Sequence, residues 1–493
     1  MHRFLPLSIQ TIAATLLLAA CASAPPPDPQ AVMRQAEAAL GGAGLKSISF
    51  TGVGTGGTFG QAWQPGNAWP ALNYSVLTRV IDFENAAFKE EFGRSRGEVN
   101  GGGATPLMGQ GETRSVGFER DGFAWNGVAT PTAPPTAAPV AVEARIHDLW
   151  TTTPQGAIKA AQRYGAVAGT RSVDGQTLNT LSFSVPGKLS ATLLVDSAGL
   201  VTAIESRMPH PVMGDTEVLT RFSNYQDVAG IKFPLRIQQS QGAFDVLDIA
   251  VKEVRSNTPV DIAVPDNVRA AKENATAEKV ADGVWFIAGG SHNSVAIEMA
   301  DRIVLVESPL YDGRAAAVFD AANKLVPGKT VRTVINSHHH FDHAGGLRYA
   351  AGEGATLVTS AMAKPYFERV FANPNRIAPD RLAASGKAPS IVAVNGKYVI
   401  SDNLRTVEVH EMQGSVHAQG FMLAYLPRER LLIEADAYTP GPPNSPPPPV
   451  ANANQVNLVQ NIERLNLQVD RILPLHGRVV PVSELYTAIG RRS

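Results

Sequence analysis

Two hydrophobic rhythms divide the chain. In the first half, short apolar runs at 193–195, 200–204, 217–222, 231–237 and 243–251 alternate with turn signals such as Asp196-Ser197-Ala198-Gly199 and Asp227-Val228-Ala229-Gly230, the pattern of strands in an antiparallel meander. An Ala-rich stretch over 30–40, stopped by Gly41-Gly42, predicts a short helix. A second helix is expected from Thr153-Pro154 to about Tyr164, with Thr153 as cap and Pro154 in the first turn. The stretch 129–139 reads as a Pro/Thr/Ala loop. Residues 30–260 are therefore expected to form a β-rich domain, a curved antiparallel sheet with one or two helices.

Around 256–277 the periodicity is lost and Pro and polar residues accumulate, which places a boundary there. From 278 to 493 the pattern is α/β. Strands are expected at 283–288, 294–299 and 303–307, an amphipathic helix at 313–325 and an apolar strand at 331–336. Further strands follow near 356–358, 406–411, 420–425 and 430–434, then a helix from about 455 to 467. In the first half, the run 225–235 weakly resembles the half-barrel of lipoprotein-carrier proteins. That leaves two readings of 30–260: a lipid-binding domain, or a β-rich spacer that shapes a substrate site.

A length of 493 residues agrees with two folded domains. The 44% hydrophobic and 18% charged content is that of a globular chain. A formal net charge of -1, with no basic stripe interleaved with aromatics, gives no broad attraction to nucleic acid, which is not an expected partner.

The N-terminus carries its own signal. Arg3 gives a positive start, an apolar run over 5–18 is too short to span a bilayer comfortably, and Leu18-Ala19-Ala20-Cys21 follows. This resembles a bacterial lipoprotein signal, which implies cleavage of residues 1–20 and acylation of Cys21. The Pro-rich segment 21–29 would then be a tether. Ala22 after the cysteine favours, by the same resemblance, the outer membrane, with the protein facing the periplasm. Cys21 is the only cysteine, so no intramolecular disulfide forms and no thiolate is available to a metal.

The densest chemistry follows the strand at 331–336. After Ser337 come His338-His339-His340-Phe341-Asp342-His343-Ala344-Gly345-Gly346. Alternation puts His338 and His340 on one side, while Asp342 and His343 turn toward a second point nearby. Imidazoles and a carboxylate are zinc ligands, at roughly 2.0 to 2.2 Å, and the cluster provides for two ions without completing either. Candidate partners stand at element ends: His417 in Gly414-Ser415-Val416-His417, Asp436 after Leu431-Leu432-Ile433, and His476 before Gly477.

The series H-x-H-x-D-H, Gly-x-x-His, strand-end Asp and strand-end His over 280–480 resembles the metallo-β-lactamase superfamily. The resemblance implies a four-layer αβ/βα sandwich with metals in the cleft between two sheets. It assigns His338, His340 and His417 to one zinc, Asp342, His343 and His476 to a second, and Asp436 to both. It further implies a hydrolase in which two Zn2+ per chain share and acidify a water, and the bridging hydroxide attacks an ester, thioester, lactone or amide carbonyl of a small-molecule substrate. Asp342 then also orients or accepts the proton of the nucleophile. The alternatives are a non-haem iron oxidoreductase on the same fold and a β-lactamase; Asp436 resembles the bridging ligand of glyoxalase II-like enzymes and lactonases.

Neighbouring residues receive smaller roles. His339 points away by alternation and packs behind the cluster. His410 lies within a strand and is no ligand. His292, in Gly289-Gly290-Ser291-His292-Asn293-Ser294, is a candidate for substrate contact, Glu307 for support of the histidines, and Tyr438 for a hydrogen bond to an oxyanion. The Gly414 to Gly420 segment departs from the Gly-His-Thr-Pro-Gly of many relatives, and the proline run in 440–450 is a candidate stiff cover.

Overall fold

The computed structural model describes residues 26–97, 102–103, 110–127, 133–443, 446 and 449–491. Cys21 and the leader before it lie outside the described residues, as do parts of the 129–139 and 440–450 loops.

Two meanders build the first sheet, which has thirteen strands and antiparallel pairing throughout. One runs from Ser47–Gly57 out to Thr136–Ala137, the other from Val167–Val173 to Phe244–Ser256. They join where Ser47–Gly57 pairs with Phe244–Ser256 in the register Ile48↔Ser256 and Gly54↔Ile249. The seam is glycine-rich for a steric reason: a Cβ on Gly54 would stand 2.0 Å from the Asp248 carbonyl oxygen, so no side chain fits there.

Three helices bury one face of this sheet. Pro29–Leu40, Val142–Thr151 and Pro154–Arg163 contribute Met33, Trp150 and Ile158 to a core shared with Phe50, Phe233 and Ile237. Thr153 caps the third helix, its Oγ1 accepting from the Gly156 N–H at 3.1 Å. Sequence rhythm led to one or two helices. The additional one, Val142–Thr151, starts at Ala141 without a side-chain cap, with Glu143 in its first turn as the single start signal.

Beyond the short helix Asp266–Arg269 the architecture changes. A seven-stranded mixed sheet runs from Thr276–Ala281 to Ser390–Val394, and a six-stranded one from Lys397–Ser401 to Val480–Pro481. Their facing sides share one core, Ile297 and Val304 from the first with Val409, Leu423 and Leu432 from the second. Helices Asp312–Asn323, Leu347–Glu353 and Lys364–Phe371 cover the outer face of the first sheet, against Ile287 and Leu305. Ala453–Arg464 and Val482–Ala488 add Leu458 and Leu485 on the side of the second. The C-terminal half is thus a four-layer αβ/βα sandwich.

An aromatic knot joins the halves. Phe341, in the middle of the histidine motif, lies with its ring centroid 5.2 Å from Phe59, 5.6 Å from Trp69 and 4.7 Å from His210. Phe59 and Trp69 follow the first strand of the large sheet, and His210 ends another, so the motif is inserted into the opposite half as well as its own.

Candidate metal centre

Three of the elements that carry candidate ligands end on the same rim. Val331–Ile335 runs into the 338–343 segment, Leu431–Glu434 into Asp436, and Arg471–Pro474 into His476. The last two strands are parallel, so their C-terminal ends, and the side chains just beyond, point the same way. The motif itself turns as a single helical turn, Phe341–Ala344. Gly345 lets it pass the chain beside it, since a Cβ there would meet the Leu310 carbonyl oxygen at 1.8 Å.

All seven expected ligands converge. His338, His340, His417 and Asp436 form one group, and His292, Asp342, His343 and His476 another, the candidate ligand atoms of each group all lying within 4.8 Å of one another. Asp436 reaches both: its Oδ2 is 2.8 Å from His417 Nε2 and 3.2 Å from His343 Nε2, while its Oδ1 is 2.8 Å from His476 Nε2. His292 joins the second group, its Nε2 3.2 Å from Asp342 Oδ2. The sequence suggested it only as a substrate contact. Its glycine-flanked turn was the available signal, but spacing alone does not say that such a turn folds back onto the motif.

The donor atoms suit a cation. His338 Nε2 lies 3.0 Å from His340 Nδ1 and 3.2 Å from His417 Nε2, and His343 Nε2 lies 3.2 Å from His476 Nε2. A tetrahedral ion about 2.0–2.1 Å from each nitrogen spreads its ligands about 3.3 Å apart, close to these separations. The outward nitrogens are already engaged. His340 Nε2 donates to the Ala62 carbonyl at 2.9 Å, His343 Nδ1 to Glu307 Oε2 at 3.1 Å, and His476 Nδ1 to the Ser291 carbonyl at 3.0 Å. Each of these bonds fixes a tautomer whose inward nitrogen is a lone pair.

Electrostatics prepare the same state. Burial, with His343 nearby, holds His338 well below the ordinary imidazole range, and burial with His338 nearby does the same to His340. Burial alone would raise the Asp436 carboxyl, but His343 and His417 outweigh it and hold it well below the carboxylate range. For His343 burial is likewise outweighed, by Asp436 and Asp342, and the imidazole is held well above its usual range. A proton there stands where a cation would otherwise balance two aspartates.

Support comes from both halves. Glu307, fully buried and at φ 71°, accepts from Asn336 Nδ2 at 2.9 Å, Ser337 Oγ at 2.5 Å and His343 Nδ1 at 3.1 Å. A non-glycine residue with such a backbone is uncommon and is held there by its surroundings. His339 packs behind the cluster and donates from Nε2 to the Ala62 carbonyl at 2.7 Å. Gln61 donates from Nε2 to Asp342 Oδ1 at 2.7 Å. Nothing in the sequence marked Gln61 or Ala62, since a loop amide and a backbone carbonyl carry no spacing signature.

His410, expected to be no ligand, and Tyr438, the candidate donor to an oxyanion, both lie elsewhere. His410 sits in the strand Thr406–Glu411, its Nε2 2.8 Å from Glu408 Oε2. Tyr438 is buried in the core between the sheets rather than in the cleft wall. The cleft over the metal groups is a cavity of about 570 Å³, bordered by Asp342, His417, Asp436 and His476 and closed in part by residues of the large antiparallel sheet.

Residues 287–437 match the family described as the Metallo-beta-lactamase superfamily, and the C-terminal half has that fold. A curated relative, the 2,4-dinitroanisole O-demethylase subunit alpha of Nocardioides sp. (strain JS1661), is 26% identical over 186 residues, 37% of this chain and 52% of that protein. The chain thus spans about half the length of the curated relative it matches. Among solved structures it is similar to a metallo-beta-lactamase from Pontibacter korlensis, at 14% identity over 44% of this chain and 98% of that one, with a TM-score of 0.32. It is also similar to one from Hirschia baltica, at 19% identity over 45% and 99%, with a TM-score of 0.33.

Proposed function

We propose that this chain, with its metallo-β-lactamase-fold half, is a metal-dependent hydrolase acting on an ester, thioester, lactone or amide carbonyl, and that zinc is its ion. The observation that carries this reading is the convergence of six imidazoles and two carboxylates, with no thiolate, on one cleft. When bound, a pair of such cations supplies Lewis acidity, polarising a substrate oxygen and acidifying water near neutral pH.

The chain's own residues do the rest. His338, His340 and His417 would hold one ion, Asp342, His343 and His476 the other, and Asp436 both, with His292 beside the second group. Gln61 donates to Asp342 Oδ1 and His292 stands beside Oδ2, and these two contacts orient the carboxylate that would accept the proton of an attacking water. The Ala62 carbonyl and Glu307 keep His340 and His343 in the tautomers that the reaction needs.

The test is bound metal, by elemental mass spectrometry on the chain lacking residues 1–21, for the parent and Asp342→Ala. About two zincs per chain in the parent and fewer in the variant support the reading. They lead to a screen of esters, lactones and β-lactams, to which the name of the Nocardioides relative adds aryl methyl ethers. Iron with visible absorption would turn the reading to redox chemistry, and no metal would sink both.

We also propose that Cys21 is lipidated and that the protein sits at the bacterial cell envelope, facing the periplasm from the outer membrane. The leader and the Leu18-Ala19-Ala20-Cys21 sequence support this. Among the described residues no helix is long and apolar enough to cross a membrane. Labelling with a fatty-acid probe, lost in Cys21→Ser, checks it; a labelled variant overturns it.

A further inference from the structure

The wall of the cleft that faces the metal groups comes partly from the large antiparallel sheet. Thr58, Phe59, Gln61 and Arg94 line it opposite Asn452 and Gln455. Arg94 stands out by its charge. Two arginines of that sheet are matched, Arg79 by Glu90 and Asp148, and Arg236 by Asp248. Among the described residues no carboxylate lies within ion-pair distance of Arg94. Its guanidinium carbon sits 4.7 Å from the centre of the Phe92 ring, the group hydrogen-bonds with the Tyr74 side chain, and its Nε is buried with no hydrogen-bond partner.

Two more polar atoms of the wall share that state. Thr58 Oγ1 and Gln455 Oε1 are buried without partners. Unsatisfied buried groups are costly, and a charged one most of all. All three line the same cavity, Arg94 and Thr58 offering donors and Gln455 Oε1 an acceptor. A planar oxyanion matches the guanidinium fork.

We propose that Arg94 determines specificity in this cleft by taking the carboxylate of a small substrate whose scissile carbonyl lies over the metal groups. The proposal rests on the hydrolase reading above. In the reaction, water adds to the carbonyl, the acyl–oxygen bond breaks, and the leaving oxygen keeps one proton of the water. The carboxylate on Arg94 is unchanged and stays with the acid product. Asp342 and Asp436 repel such an anion until the cations balance them, so recognition and metal loading are coupled. The large sheet is then the substrate-shaping half of the site.

The experiment compares two aryl esters with the same scissile bond, the monoaryl ester of succinic acid and the aryl ester of butyric acid. The full chain is loaded with zinc, and the parent, Arg94→Ala and Arg94→Lys are assayed. The parent should favour the carboxylated ester in kcat/KM. Arg94→Ala should lower that preference about tenfold or more, and Arg94→Lys should restore part of it. An unchanged preference in Arg94→Ala overturns the proposal, even where both esters are cleaved more slowly. If the parent cleaves neither ester, the hydrolase reading fails separately. Calorimetric binding of succinate to the zinc-loaded protein then decides: affinity about tenfold weaker in Arg94→Ala supports the receptor, and equal affinity overturns it. Melting curves of the variants check that each is folded.

Discussion

The side-chain amide of Gln61 donates to Asp342 Oδ1 at 2.7 Å, across 281 positions of sequence. One is a loop residue of the large antiparallel sheet, the other lies in the histidine motif, and the bond orients the Asp342 carboxylate from one side while His292 faces its Oδ2 from the other. Gln61→Ala should therefore leave zinc content near that of the parent and lower kcat by about tenfold, the worth of one hydrogen bond to a charged group. Gln61→Glu, which sets a second carboxylate against the first, should also lower zinc content. Equal kcat in Gln61→Ala and the parent removes the role given to this bond.

Glu307 should prove harder to replace. It receives hydrogen bonds from Asn336, Ser337 and His343 inside the protein, so Glu307→Ala leaves buried donors unmatched. We expect zinc affinity to fall by about 10- to 100-fold, read by competition with a chelator of known strength. Glu307→Gln should fall between, because its amide oxygen accepts but its nitrogen faces donors.

Phe341 joins motif and sheet through Phe59, Trp69 and His210. Phe341→Ala opens a cavity at that contact and should reduce stability by about 3 to 5 kcal/mol in urea unfolding. Gly60→Ala acts from the other side, since a Cβ there would lie 2.4 Å from the Phe341 ring. A loss below about 1 kcal/mol in Phe341→Ala would falsify the view that this contact holds the halves together.

His210 gives the acid limb of stability a signature. Burial, with Arg348 nearby, lowers its pKa from 6.5 to about 3, and its Nδ1 accepts from the Val212 and Met213 N–H groups at 3.1 and 3.2 Å. The unfolded chain takes up a proton below pH 6.5 that the folded protein refuses until about pH 3. Stability contributed by neutral His210 is thus present above 6.5 and declines as pH falls toward 3. Urea midpoints of His210→Gln against the parent should show a shallower decline over that range.

The motif was readable because its chemistry is local. His338 to His343 follow directly on an apolar strand within six residues, and Asp436 and His476 follow runs as apolar as Leu431-Leu432-Ile433. Strand ends in an α/β sheet gather on one rim, so order along the chain already implies proximity. The opposite wall had no such logic. Ser47–Gly57 is a strand whose glycines follow from the closeness of Asp248 and Ile249, a cause absent from local sequence. Arg94 alternates with polar neighbours on Ala87–Arg96, where a surface arginine and one turned into a cleft read alike. Val142–Thr151 follows a proline-rich loop with no capping side chain, and its apolar face becomes informative only once a sheet is there to receive it.

The carbonyl of Ala62 accepts from both His339 and His340. A fragment trimmed to the recognisable motif would discard that oxygen, and His340 would then be free to flip its proton between ring nitrogens. Part of its molecules would present a hydrogen where an ion needs an electron pair. The histidines would still read correctly as letters, yet the fragment would be a poorer chelator than the whole. In this protein the unit that inherits a metal centre is larger than the unit that spells it.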